Sequence, residues 1–349
     1  MKKNAFVCCT PYHIILSYHL IKNHYKGFSN DIYISDHFPN SEEIYHNIKK
    51  ENLFENVYFI TDKKLSYMSL YERRKHKKYK QKIEKDWEER INFKQYNRLS
   101  FFTFSYFSKY FFSRSYSFNE KPEVFFIEDG VGTYINFSTR KEKMRNLISK
   151  SLPRRNILSG ANVDFFGFFY PKGAIGINKK NIFQMDNVFF YDYDITVLNR
   201  IFNYTPSEIY KNKKMIFIDQ PFKDREKKIL KKKIFDILKT QYETQYIIKV
   251  HPRDIEIQEL SKNYCIDARG VPIELLILNN EINKDSKLIG INSTALLTPK
   301  IMMGWKNEIL SLYKMTNLKG ELYNIFFESI DFNIKTPTKM SELKGLLKE

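Results

Sequence analysis

Short apolar, β-prone runs that halt at polar clusters alternate along this chain with stretches whose apolar residues recur at helical spacing. The first run covers residues 5–9 and stops at Thr10-Pro11-Tyr12; Ile14, Ile15, Tyr18, Leu20 and Ile21 then follow on helical spacing. Residues 31–35 and 57–60 repeat the strand signature. Strands alternating with helices predict a parallel sheet built from βαβ units. Residues 71–98 break the rhythm, being dense in Lys, Arg and Glu, and read as one or two long charged helices. The aromatic stretch 101–118 reads as core, 124–127 as a further strand, 139–155 as a basic helix and 163–170 as an aromatic strand.

A looser pattern over 187–214, with Pro206, places a domain connection there. The rhythm restarts at 215–218, continues through an amphipathic helix over 224–240, and gives strands at 246–250, 287–291 and 308–313. A helix opens at Val271-Pro272-Ile273-Glu274, where proline suits the first turn, and 339–348 form a short terminal helix. The expected organisation is α/β: an N-terminal Rossmann-like domain over 1–195, a C-terminal one over 213–335, and a tail helix over 336–349. The cleft between two such sheets is the expected active site.

Candidate chemistry sits where strands end. Residues 124–127 climb to Glu128-Asp129 and break on Gly130. In open α/β sheets ligands bind outside the carboxyl ends of the strands. The acidic pair there supplies a general base, a metal ligand or a hydrogen-bond acceptor, or else forms an ordinary acidic turn. His251-Pro252 follows the strand at 246–250; an imidazolium there would bind a phosphate, and a structural histidine is the alternative. Asn292-Ser293-Thr294 stand where a helix begins, either as a phosphate site or as a plain cap. Glu274 would accept hydrogen bonds from a ribose, or complement a helix dipole. His251, Glu274 and Ser293 follow one another at intervals of about one β-α unit, so they could line one sheet edge.

Composition narrows the classes. The 349 residues suffice for two domains with their own cores, and 16% aromatic residues exclude disorder. A net charge of +18 attracts polyanions: nucleic acid, anionic lipid, or nucleotide-activated and acidic glycan substrates. The basic residues are spread over many helices without a nucleic-acid motif, which argues against nucleic acid. The run Arg73, Arg74, Lys75, Lys77, Lys78, Lys80 and Lys82 is a solvated helix face or a contact surface for anionic lipid or an acidic acceptor. Cys8, Cys9 and Cys265 show neither a CxxC pair nor metal-ligand spacing, and a reducing cytoplasm is the expected compartment. No run approaches membrane-spanning length, and Thr10 to His13 cut the first apolar run too early for a signal peptide. A soluble cytoplasmic protein is expected, with peripheral attachment to the inner face of the cytoplasmic membrane left open as an alternative.

An acidic pair with glycine, then His-Pro, then Ser-Thr, in that order, resembles the signature of bacterial sialyltransferases, which are GT-B glycosyltransferases using CMP-sialic acid. The opening Phe6-Val7-Cys8-Cys9-Thr10-Pro11-Tyr12-His13 looks most like the glycosyltransferase family 52 branch of lipooligosaccharide and capsule sialyltransferases. The resemblance implies a general base in Glu128-Asp129, with Asp129 favoured because it adjoins the glycine turn and Glu128 left open. It implies that His251 contacts the CMP phosphate as acid or electrostatic stabiliser. Ser293 and Thr294 would bind that phosphate, flanked by Asn292 and Pro252, and Glu274 the ribose. Lys249 would lie near the cytidine, and Asp219 and Gln220 would face the cleft. Thr10, Pro11, Tyr12 and Gly130 would line the sugar or acceptor side. The implied reaction inverts the anomeric centre in one displacement with no cofactor and no metal; Asp192-Tyr193-Asp194 has the letters of a metal motif but reads as structural. The implied partners are CMP-sialic acid, a glycan or glycolipid acceptor and an anionic membrane, with a homodimer neither required nor excluded. A family 52 hexosyltransferase or a CDP-polyol phosphotransferase would share the fold, and a basic nucleic-acid-binding protein is the reading from another class.

Overall fold

The computed structural model describes all residues except 119–120, 137–143, 145–146, 148–157, 178, 187–194, 223, 252–256, 292, 317–319, 331 and 349. Seven strands form the first sheet: β1 (Lys2–Cys8), β2 (Phe28–Ser35), β3 (Asn56–Ile60), β4 (Arg98–Phe101), β5 (Glu123–Ile127), β6 (Phe165–Phe168) and β7 (Ile182–Gln184). Six form the second: β8 (Met215–Ile218), β9 (Tyr246–Lys249), β10 (Ile266–Asp267), β11 (Lys287–Gly290), β12 (Ile309–Ser311) and β13 (Ile334–Lys335). The strand orders are β3-β2-β1-β4-β5-β6-β7 and β10-β9-β8-β11-β12-β13, and every described pairing is parallel. The two sheets belong to two compact units. One comprises Met1–Asp129, Thr133–Asp186 and Arg200–Phe202; the other comprises Gly130–Gly132, Asn187–Asn199 and Asn203–Glu349.

Parallel strands joined by helical crossovers are covered on both faces, which is why their sequences are continuous apolar runs and not alternating ones. Val124 and Ile127 of β5 are wholly buried, and Phe125 and Phe126 nearly so. At Gly167 of β6, paired with Ile127, a Cβ would come within 2.5 Å of Phe183 Cζ, so only glycine lets that ring lie over the strand. In the second unit Phe217, Phe235, Ile248, Ile289 and Leu310 share one core with Leu343 and Leu347 of the tail, whose helix spans Met340–Leu346.

The strands expected at 5–9, 31–35, 57–60, 124–127, 163–170, 215–218, 246–250, 287–291 and 308–313 are all present, with small shifts of boundary. β4, β7, β10 and β13 are additional; they are two to four residues long and carry no apolar run of their own. The charged region 71–98 holds two helices, as expected, but the first is short: Leu70–Lys75 and Lys77–Arg90, preceded by a separate short helix, Lys63–Tyr67. Ser69 and Glu72 form a capping box that starts a new helix, and His76 interrupts the run at φ −99°, ψ 37°. Trp87, fully buried, anchors the last piece. Pro272 is the cap of the helix Ile273–Leu278 and not a first-turn residue. The basic helix expected over 139–155 lies almost wholly outside the described residues, and Asp192-Tyr193-Asp194 entirely so. No described helix is long and apolar enough to cross a membrane.

Candidate active site

Each sheet has one place where its chain order reverses, between β1 and β4 in the first and between β8 and β11 in the second. Strand ends at such switch points leave a crevice for ligands. In the first unit the loop after β1 leads into the helix Pro11–Asn23. Thr10 Oγ1 caps it, accepting from His13 N at 3.3 Å, and Pro11 fills the first turn. His13 is thereby pointed inward, fully buried, with its ring stacked on Phe102 at 4.6 Å between centroids. Cys9 N donates to His13 Nδ1 at 3.0 Å, which fixes the tautomer: the proton sits on Nε2. That nitrogen lies 2.8 Å from Asp129 Oδ1.

The two adjacent carboxylates differ in every respect. Glu128 is buried to 1% exposure and accepts from Tyr134 Oη, from Phe169 N at 3.0 Å and from the Tyr12 hydroxyl. Burial raises its carboxyl to about 7, against the pull of these donors. The Asp129 side chain is 35% exposed. Thr133 Oγ1 accepts from Asp129 N at 2.9 Å, and Gly130, at φ +82°, turns the chain into the helix Val131–Asn136. Of the acidic pair, Asp129 is the member that reaches solvent with a side chain already oriented.

In the second unit Ile218 is in register with both Lys249 and Gly290, so the residues after β9, β8 and β11 stand side by side. Asp219 N donates to Lys249 O at 3.0 Å, and the buried Asp219 carboxylate lies 3.1 Å from the buried Lys231 ammonium. Gln220 follows, its Oε1 buried without a hydrogen-bond partner. Lys249 is buried, donates to Arg269 O at 2.6 Å and lies 3.6 Å from Asp267. Burial lowers its pKa, while Asp267 and Glu274 favour the charged form. Glu274 is itself buried on the helix Ile273–Leu278. His251 is partly exposed just past β9, and Ser293 O accepts from Leu296 N at 3.2 Å, closing the 3-10 turn Thr294–Leu296. The expected helix at Ser293 thus starts as a single tight turn. Pro252 and Asn292 lie outside the described residues, as does the side chain of Thr294.

Several contributors were not singled out from sequence as site residues: His13 and Tyr134 in the first unit, and Tyr210, Lys231, Asp267, Arg269 and Glu281 in the second. Asp267 binds Tyr210 Oη at 2.8 Å and Arg269 Nε at 3.0 Å, and Arg269 Nη2 reaches Glu281 at 2.7 Å, so the edge beside Lys249 is pinned by a charge network. His13 did have a signal: it stands in the same loop motif as Thr10, Pro11 and Tyr12, four residues after Cys9.

Similar folds are found among solved structures. An α/β-galactoside α-2,3-sialyltransferase from the luminous marine bacterium Photobacterium phosphoreum aligns with TM-score 0.57 and 14% identity, over 96% of this chain and 98% of that one. The GT-B domain of a sialyltransferase from Photobacterium damselae gives 0.54 and 12%, over 96% and 98%. The UDP complex of UGT89C1 from Arabidopsis thaliana gives 0.54 and 8%, over 100% and 90%. At these identities the likeness establishes the fold, which is GT-B. No curated protein matches the sequence. The sequence signature described as Alpha-2,8-polysialyltransferase (POLYST) matches residues 4–311, from β1 through β12. That match covers well over half of the chain and all strands but β13, so the chain belongs to the alpha-2,8-polysialyltransferase family.

Proposed function

We propose that this chain moves sialic acid from CMP-sialic acid to a hydroxyl of a glycan acceptor, inverting the anomeric centre in one displacement without a metal or other cofactor. The observation that carries the reading is the Asp129 carboxylate, partly exposed, with Oδ1 2.8 Å from Nε2 of the buried His13 but without hydrogen-bond alignment. That carboxylate takes the proton of the acceptor hydroxyl as the hydroxyl oxygen attacks the anomeric carbon. His13 cannot exchange roles with it, because Nδ1 is occupied by the Cys9 N–H. Glu128, buried among three donors, braces the turn and takes no part in the proton transfer.

On the donor side the bond from the anomeric carbon to the CMP phosphate breaks, and negative charge gathers on that phosphate. His251, with Ser293, Thr294 and the neighbouring Asn292 and Pro252, would meet that charge, worth several kcal/mol when donors are preorganised. Glu274 would accept from the ribose, and Lys249, tied to Arg269 O and Asp267, would stiffen the wall near the cytidine together with Asp219 and Gln220. Thr10, Pro11, Tyr12 and Gly130 border the base on the acceptor side.

The family favours an α2,8 linkage, and therefore an acceptor that already ends in sialic acid. A net charge of +18 suits so acidic a glycan, and the basic pieces Leu70–Lys75 and Lys77–Arg90 suit either it or an anionic cytoplasmic membrane face. Within this reading a capsule-type polymer fits better than the lipooligosaccharide acceptor of the family 52 branch. The test is product analysis by mass spectrometry, with CMP-sialic acid, UDP-hexoses and CDP-polyols each offered to an α2,8-oligosialyl and to an asialo acceptor. Elongation of the oligosialyl acceptor by CMP-sialic acid is expected; turnover of UDP or CDP donors alone would overturn the reading.

A further inference from the structure

Three adjacent strands of the first sheet, β3, β2 and β1, each deliver one metal-ligating side chain just past their carboxyl ends. They are Asp62, His37 and Cys9, and one ligand atom from each lies within 4.8 Å of the others. Asp62 is an isolated oddity if read as structure alone. Its side chain is wholly buried; Oδ1 accepts from Ser66 Oγ and Phe107 N, both at 3.0 Å, yet Oδ2 has no hydrogen-bond partner. His37 Nε2 comes within 3.3 Å of that oxygen without hydrogen-bond alignment, and it too has no hydrogen-bond partner. Two buried polar atoms that approach each other without bonding leave a desolvation cost uncompensated, commonly about 1–3 kcal/mol per group. A cation between them removes it.

We propose that Cys9, His37 and Asp62 bind one divalent cation of the zinc class that takes no part in the displacement proposed above. The donor set decides the class: a thiolate selects against magnesium and calcium, while imidazole, thiolate and carboxylate together suit a tetrahedral borderline ion with water in the fourth position. Charge balances. The cation displaces the Cys9 thiol proton, which leaves to solvent, and the resulting thiolate and the Asp62 carboxylate neutralise its two positive charges at a site with almost no solvent exposure. Burial and the neighbouring Asp62 carboxylate hold the Cys9 thiol well above its usual range without a cation, and a side-chain hydrogen bond with Ser105, which works the other way, would orient the sulfur. The bound ion would tie together three loops at the edge of the sheet, one of which supplies the Cys9 N–H that orients His13.

The test uses full-length protein stripped by chelator and titrated with Co²⁺, then Zn²⁺. One Co²⁺ per chain is expected, with a near-ultraviolet thiolate-to-cobalt charge-transfer band that Zn²⁺ abolishes. Cys9→Ser should remove that band, and Cys265→Ser should leave it. His37 lies in a turn, so His37→Ala is the variant that keeps the fold; it should weaken binding at least about tenfold while the metal-free melting curve stays unchanged. Absence of the band in wild type, its survival in Cys9→Ser, or affinity unaffected by His37→Ala would each overturn the site, leaving a His-Asp pair beside a spectator thiol.

Discussion

The two strand edges solve opposite problems. Around its acidic pair the edge of the first sheet uses neutral groups: Tyr134, Phe169 N and Tyr12 donate to Glu128, Cys9 N donates to His13, and His13 Nε2 lies beside Asp129. The edge of the second sets charge against charge: Lys231 on Asp219, Lys249 and Arg269 on Asp267, Arg269 on Glu281. Buried ion pairs are poor sources of stability, because desolvation offsets most of the attraction. Among the described residues they cluster beside β8 and β9 and not around Glu128 and Asp129, a difference that points to electrostatic purpose. A base that must gain a proton is best held by neutral groups, whereas a site for a departing phosphate profits from cations fixed in place.

The predictions probe that division. Asp129→Asn should lower transfer about 10²–10⁴-fold, the range for a lost general base, while Glu128→Gln stays within roughly tenfold of wild type. Equal loss in both would mean that burial does not separate their roles. His251→Ala should cost about 10²–10³-fold in kcat, as for one preorganised donor to developing charge. His13→Ala leaves Asp129 in place but removes the ring beside it. A kcat decrease of up to about 10²-fold with little change in KM is expected, recovered in part by His13→Gln. A change confined to KM would reduce His13 to packing against Phe102.

The smallest effect is on stability. Glu128 holds its proton more tightly folded than unfolded, since burial raises its carboxyl from 4.5 to about 7. Its contribution is therefore fully present below pH 4.5 and declines as the pH rises through 7. Glu128→Gln, which cannot ionise, should match wild type near pH 5 and melt higher above pH 7. At about 1.4 kcal/mol per pKa unit the gap is at most a few kcal/mol. Thermal melts of both proteins from pH 5 to 8 measure it; a gap that closes with rising pH would contradict the assignment.

Long apolar runs made the fold legible. The strands that end at Thr10, Glu128, Asp219, His251 and Ser293 are buried on both faces, so their sequences announce them and the polar residues after them mark the edges. β10 and β13, two residues each, carry no such run and exist only because their neighbours offer an edge. The choice between Glu128 and Asp129 was not legible, because it depends on Tyr134 and His13 arriving from other elements. His13 reads from sequence as the end of the polar loop after the first strand, and nothing in its position shows that its ring turns inward. Cys9, His37 and Asp62 show no ligand spacing because each sits on a different strand, and only the order β3-β2-β1 assembles them. The basic run at 73–82 was readable as charge, but not its division at His76 into separate helices.

The central claim is that the first edge carries the base and the second holds the donor. Calorimetric titration of CMP into Asp129→Asn and His251→Ala tests it without relying on turnover. The account predicts wild-type affinity in Asp129→Asn and affinity at least about tenfold weaker in His251→Ala, the loss of one charge-assisted hydrogen bond. Weakened CMP binding in Asp129→Asn with unchanged binding in His251→Ala would contradict it.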